Sequence, residues 1–146
     1  MKLKANRGFT VVETLVTLFI IVLVSTLILW PFSSFRNTKL LDGAAEDVLS
    51  TLHEAQTRTL SSDGGNQYGV YFESDKITLL PEDRELALHN SLQISNISLN
   101  GGGATVTFDR LTGTTANYGT ITISLINDNT RERVISIGSA GSASLN

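Results

Sequence analysis

Apolar and polar positions divide the chain into three stretches of different period. From Thr14 to Phe35 there are 22 consecutive residues without a charge, dominated by Leu, Val, Ile and Phe. About 20 such residues are what a helix needs to cross ~30 Å of hydrocarbon. Between Lys39 and Ser61 the pattern turns amphipathic. Leu41, Ala45, Val48, Leu52 and Ala55 recur at spacings of four, three, four and three, which is one face of a helix. Asp42, Glu46, Asp47, Glu54 and Arg58 lie off that face, and Glu54–Arg58 is a favourable i,i+4 pair. The run Ser61-Ser62-Asp63-Gly64-Gly65 supplies the stop. The two stretches together predict one long helix from Phe9 to Ser61, kinked at Pro31, which cannot donate to the Leu27 carbonyl. Trp30 lies about 32 Å beyond Phe9 at ~1.5 Å per residue, where an aromatic belt meets the outer membrane interface.

From Gly65 onward the period is two. Tyr68, Val70 and Phe72 alternate with Gly69 and Tyr71, and Ser74-Asp75 then turns the chain into Ile77 and Leu79. Val106 and Phe108 alternate with threonines, as do Ile121, Ile123 and Leu125 with Thr120, Thr122 and Ser124. Asn127-Asp128-Asn129 turns the chain into a last strand over 133–137. In Leu92–Leu99 the phase slips at Ser95-Asn96, which predicts a bulge. Such strands separated by turn residues predict an antiparallel sheet, and the sheet needs a covering surface, which the 41–55 helix face supplies. The expected fold class is α+β, a long kinked amino-terminal helix packed on an antiparallel sheet domain. The expected boundaries are 9–35 for the apolar helix, 36–62 for the amphipathic helix and 63–146 for the sheet domain.

Composition removes most catalytic classes. The 146 residues contain no cysteine, which excludes disulfide frameworks, Cys-ligated zinc and thiol catalysis. The two histidines, His53 and His89, are too far apart in the chain to pair on a helix, and neither has a Ser-Asp grouping near it. Eleven basic residues against fourteen acidic ones leave a formal charge of -3, which argues against a non-specific nucleic-acid binder. The basic residues are also unevenly placed: Lys2, Lys4 and Arg7 precede the apolar run and no acid comes before Glu13. That asymmetry places the amino terminus in the cytoplasm and everything after Phe35 outside it. An ordinary secretory signal fits poorly, because the uncharged run exceeds an apolar core of roughly 7–15 residues and bulky Leu29-Trp30-Pro31-Phe32 offers no small-residue cleavage site.

The segment Lys4-Ala-Asn-Arg-Gly-Phe-Thr-Val-Val-Glu13 resembles the type IV prepilin signal: a short basic leader ending in Gly8, then Phe9, then Glu13 as the fifth residue counted from Phe9. The resemblance implies a leader of residues 1–8, cleavage between Gly8 and Phe9 by a prepilin peptidase, and methylation of the new Phe9 amine. It implies that the apolar helix stays as a single-pass anchor in the bacterial inner membrane and later becomes a filament core. The implied partners are other pilin or pseudopilin subunits, the peptidase, an inner-membrane assembly platform and membrane lipid. Glu13 is the implied assembly residue. A carboxylate deep in a membrane helix costs roughly 2.5–3.5 kcal/mol, less near a helix end, and it seeks a positive group such as the Phe9 amine. The later pattern Thr107-Phe-Asp-Arg-Leu-Thr-Gly113, Gly119–Ser124 and Arg133–Gly138 looks like the H-type minor pseudopilins of type II secretion.

The resulting expectation is a structural subunit with no catalytic residue, no cofactor and no metal. The alternative is a DNA-binding minor pilin of an uptake machine, with Arg110, Arg131 and Arg133 as its patch. Loss of Lys2, Lys4 and Arg7 leaves eight basic residues against fourteen acids, which weakens that alternative. Gly101-Gly102-Gly103 has no following Lys-Ser/Thr or helix and reads as a hairpin loop rather than a phosphate loop. Glu82, Asp83 and Glu85 read as a solvated acidic loop.

Overall fold

The computed structural model describes residues 9–146, with the side chains of residues 27–34, 63 and 129 outside that description. The chain divides into two compact units, Met1–Arg36 and Asn37–Asn146. Helix α1 spans Val11–Leu60, within two residues of the expected ends. The places expected for Trp30 and for the Pro31 kink fall on side chains outside the described residues, as does the whole 1–8 leader.

In the first unit α1 begins at a cap. The Thr10 hydroxyl accepts from the Glu13 amide at 3.2 Å, and the Thr14 amide donates to the Thr10 carbonyl at 3.1 Å. A threonine three residues before a glutamate is a helix-start pattern, and the acidic side chain in the first turn suits the positive end of the helix dipole.

The second unit is the folded domain. Its helical part buries the stripe read from the sequence: Leu41, Ala45, Val48, Leu52 and Ala55 are all essentially inaccessible. Eight strands follow. They are β1 (Gly69–Phe72), β2 (Lys76–Leu80), β3 (Arg84–Ala87), β4 (Leu92–Leu99), β5 (Thr105–Thr107), β6 (Gly119–Leu125), β7 (Asp128–Ile137) and β8 (Ala143–Leu145). They form two antiparallel four-stranded sheets rather than one, ordered β3-β2-β1-β5 and β4-β6-β7-β8. The expected bulge is present, with the register of β4 on β6 shifting between Ile94 and Asn96. One core joins the helix stripe to Val70, Phe72, Ile77 and Leu79 of the first sheet and to Ile94, Ile121, Ile123 and Ile135 of the second.

Three features depart from simple alternation. Strand β6 is buried on both faces, so Thr122 and Ser124 are covered as well as Ile121 and Ile123. Strand β3 is exposed along its whole length, where the sequence predicts an acidic loop. Strand β8 follows a Gly- and Ser-rich turn and carries only a weak apolar signal. Polar ties close the domain. The Thr59 hydroxyl accepts from the Tyr68 amide at 2.9 Å, fastening the helix end to β1. Gln56 Nε2 donates to the Gly113 carbonyl at 3.0 Å, tying the helix to a loop 57 positions away.

Candidate functional site

The first unit presents a continuous exposed apolar surface among its described residues. From Val11 to Val24 its large apolar side chains, among them Leu15, Phe19, Ile21 and Leu23, are between 46 and 79 % exposed, and Phe9 is 82 % exposed. Apolar side chains point outward all round the helix, which is the pattern of a helix surrounded by lipid or by other helices. Soluble monomers seldom expose contiguous apolar patches of more than a few hundred Å².

The few polar groups on this surface are satisfied inside the helix. Thr14 Oγ1 donates to the Thr10 carbonyl at 3.3 Å and Thr17 Oγ1 to the Glu13 carbonyl at 2.7 Å. Ser25 Oγ donates to the Ile21 carbonyl at 2.7 Å and Thr26 Oγ1 to the Leu23 carbonyl at 2.8 Å. A hydroxyl that donates back to its own helix asks nothing of a neighbour, so the surface between residues 14 and 26 is apolar in effect. Glu13 is the one acidic residue in the described part of this unit, exposed in the first turn and four residues from Phe9. The helix cap accounts for its amide, and its carboxylate is left facing outward. Gly8 lies outside the described residues. Among the described residues no helix is long and apolar enough to cross a membrane. The described side chains of this unit break off at Thr26 and resume at Phe35, so the expected apolar continuation over 27–34 lies outside them.

The other candidate residues are dispersed. Arg133 is held by Asp42, with Nη2 2.8 Å and Nε 2.9 Å from its carboxylate, and Arg131 pairs with Asp128 at 3.3 Å. Arg110 sits in the loop after β5, so the three arginines do not make one unopposed basic patch. His53 and His89 are exposed, and His89 Nδ1 accepts from the Ser91 amide at 3.2 Å. Among the described residues no group of three or more His, Asp or Glu side chains is disposed to hold a metal. The Gly101–Gly103 stretch has three positive φ angles in open space, in the turn between β4 and β5.

The acidic loop is more than solvated. Glu82 takes both terminal nitrogens of Arg58, one of them at 3.0 Å, and Glu85 takes Lys76 at 2.6 Å. Arg58 also donates to Glu54 at 3.3 Å and to the Tyr68 hydroxyl at 3.3 Å, and stacks 4.5 Å above the Tyr68 ring centre. Arg84 donates to Glu54 in turn. The Arg84 hydrogen bond holds the Glu54 carboxyl below the usual carboxylate range, against partial burial, with the charges of Arg84 and Arg58 assisting. Only the Glu54–Arg58 edge of this cluster was visible as a helix spacing, because Glu82 and Arg84 arrive from a hairpin 24 to 30 positions away.

A long amino-terminal helix whose second half packs on antiparallel sheet is a type IV pilin-like fold. Two crystal structures of the type IV minor pilin FimU from Pseudomonas aeruginosa PAO1 share it. One superimposes with a TM-score of 0.56 over 73 % of this chain and 92 % of that chain, the other with 0.59 over 77 % and 92 %, each at 19 % identity. No protein-family model matches the chain, and no curated protein matches its sequence.

Proposed function

We propose that the chain is a structural subunit of a pilin-type filament, a minor pilin or minor pseudopilin of a type IV pilus-like or type II secretion machine. One observation carries the reading: an outward-facing apolar helix surface from Val11 to Val24, with its hydroxyls satisfied internally, on a chain whose folded unit is pilin-like. Lipid covers that surface before assembly and neighbouring helices cover it afterwards. In this reading residues 1–8 are a cytoplasmic leader, removed between Gly8 and Phe9 by prepilin peptidase, which then methylates the Phe9 amine. Residues 9–35 span the inner membrane once and later form filament core, with the amino terminus cytoplasmic and residues 36–146 extracytoplasmic. Glu13 meets a Phe9 amine, its own or a neighbour's, during assembly on the inner-membrane platform. The similarity of 107–113, 119–124 and 133–138 to H-type minor pseudopilins supports a minor subunit of either branch. The chain performs no catalysis in this scheme.

The test is mass spectrometry of the protein from cells with an active prepilin peptidase. The expected chain starts at Phe9 and carries one extra methyl group, and replacing Gly8 with a bulky residue leaves the full-length precursor in the membrane. An intact Met1 start in those cells would sink the reading. The DNA-binding alternative is weakened by the pairing of Arg133 with Asp42 and of Arg131 with Asp128. A gel shift at moderate salt distinguishes it, through binding that is lost when both arginines are replaced.

A further inference from the structure

The turn from β4 to β5 runs through Asn100-Gly101-Gly102-Gly103, and Asn100 is the only asparagine of the chain that a glycine follows. All four residues are exposed. The glycines take φ angles of +82°, +72° and +88°, and a Cβ built on any of them would meet nothing within 4 Å. The Gly102 amide donates to the Leu99 carbonyl at 3.1 Å and closes the turn, whereas the Gly101 amide donates to nothing among the described residues. Asn100 fastens the turn to the segment that leads into β6. Its main-chain amide donates to the Tyr118 carbonyl at 2.7 Å, and its Nδ2 donates to the Ala116 carbonyl at 3.0 Å.

An asparagine side-chain carbonyl carbon is one ring closure away from the main-chain nitrogen of the next residue. A side chain on that residue shields the nitrogen, and a hydrogen bond from it retains the proton that must leave. Glycine has no side chain to shield with, and the Gly101 nitrogen has no such bond. Other asparagines lack one of these conditions. The Ser91 amide, which follows Asn90, donates to His89 Nδ1 at 3.2 Å. Asn96 is followed by the branched Ile97 in a paired strand. Asn117 is half-buried, is followed by Tyr118, and accepts from the Thr107 hydroxyl at 3.3 Å.

We propose that Asn100 is a site of spontaneous deamidation, with water as the only co-reactant. The Gly101 nitrogen gives up its proton and bonds to Asn100 Cγ. The Cγ–Nδ2 bond breaks, and the side-chain nitrogen leaves with that proton as ammonia. The five-membered imide then takes up one water. Opening at one carbonyl gives aspartate; opening at the other gives isoaspartate, whose main chain runs through the former side chain and is one carbon longer. Either product replaces a donating amide with a carboxylate, which is ionised at neutral pH and only accepts hydrogen bonds. The Ala116 carbonyl then faces a second acceptor, and the tie between the turn and residues 115–118 is lost. The longer isoaspartyl chain opens the Leu99–Gly102 turn as well. The filament reading is not needed for any of these steps.

The test uses the full-length protein, purified in detergent and held at mildly alkaline pH. Samples taken over days are digested in acid and mapped by mass spectrometry. The expected result is an amide-to-acid mass gain in the peptide that holds Asn100, several-fold faster than at Asn90, Asn96 or Asn117. The gain should accelerate as pH rises, because the attacking nitrogen must lose its proton. An isoaspartyl methyltransferase with a labelled methyl donor should mark the aged protein several-fold more than aged Asn100→Gln, whose longer side chain would have to close a larger ring. Hydrogen exchange over 99–102 and 115–118 should be faster in the aged chain than in the fresh one. Conversion at Asn100 that is absent, or no faster than at Asn90, overturns the proposal. Conversion with unchanged exchange over 115–118 overturns the loss of the tie.

Discussion

Gly141 and Gly101 share a left-handed backbone, at φ +83° and +82°, but sit in different surroundings. A Cβ on Gly101 would meet nothing, whereas one on Gly141 would lie 2.0 Å from the Gly113 carbonyl oxygen and 2.4 Å from Gln56 Nε2. Gly101→Ala therefore incurs only the left-handed penalty of roughly 1–2 kcal/mol. Gly141→Ala adds overpacking of about 1–3 kcal/mol and pushes away the Gln56 side chain that ties the helix to the 113 loop. Thermal melts of the 37–146 unit should show a loss for Gly141→Ala well beyond that for Gly101→Ala; equal losses would mean the 113–141 contact is not closely packed. The sequence reads Gly101 as part of a hairpin loop, and nothing next to Gly141 sets it apart. What separates them is a long-range approach between two loops, and no local pattern encodes that.

Elements in this domain are held by two different means. The 41–55 stripe and the strands holding Val70, Phe72, Ile121 and Ile123 were legible because burial imposes a helical period on one and a period of two on the others. Strand β3 was not, because it buries no residue and is placed by pairing to β2 and by the charges at its start. The division into two sheets was equally hidden, since alternation tells which side chains face inward but not which strand is the neighbour. The charged tie should make the β2–β3 hairpin sensitive to pH. The Glu54 carboxyl titrates below its unfolded value, so its contribution is complete above the ordinary carboxylate range and is lost as pH falls through the depressed folded value. With Glu54 about one-third exposed, each pair contributes only about 0.2–1 kcal/mol. Chemical denaturation of residues 37–146 from neutral to acid pH should show an acid-side loss that is smaller in Glu54→Gln; an identical pH dependence of the two proteins would remove the hairpin clamp from the account. The apolar means is stronger. A piece starting at Gly65 lacks Leu41, Val48 and Leu52, and at roughly 1.5–3 kcal/mol per buried large side chain it should fail to show the cooperative melt expected of the 37–146 unit.

The chain as a whole combines a domain that should fold in water with a helix that should not be left in it. Residues 37–146 should behave as a soluble monomer at low concentration, while the chain from Phe9 should need detergent or lipid, because its first unit exposes apolar side chains all round. Within that surface Glu13 is the lone acid, and the sequence could read its chemistry because a carboxylate beside an unbroken apolar run is costly without a partner. Its place in the first turn follows from a helix that starts near Phe9, and the Thr10 cap is an addition from the structure. Glu13 also closes the Thr10 cap through its amide, a local contact that Glu13→Gln or Glu13→Lys leaves in place because the backbone makes it. The two substitutions therefore isolate the side-chain charge. In the proposed scheme the cut falls between Gly8 and Phe9, ahead of position 13, so both variants should still be processed. In an assembled filament, removal of one member of a fully buried charged pair costs roughly 3–5 kcal/mol, and less if the helix ends stay wet. Glu13→Gln keeps the size and can still accept a hydrogen bond, so it should enter filaments at reduced level. In the same scheme Glu13→Lys would place a second cation beside the Phe9 amine, and it should be excluded. Crosslinking followed by co-purification with other pilins measures incorporation, and mass spectrometry of the same samples measures cleavage. Full incorporation of a cleaved Glu13→Lys chain would show that the carboxylate serves only the helix end, and that the apolar surface alone drives assembly.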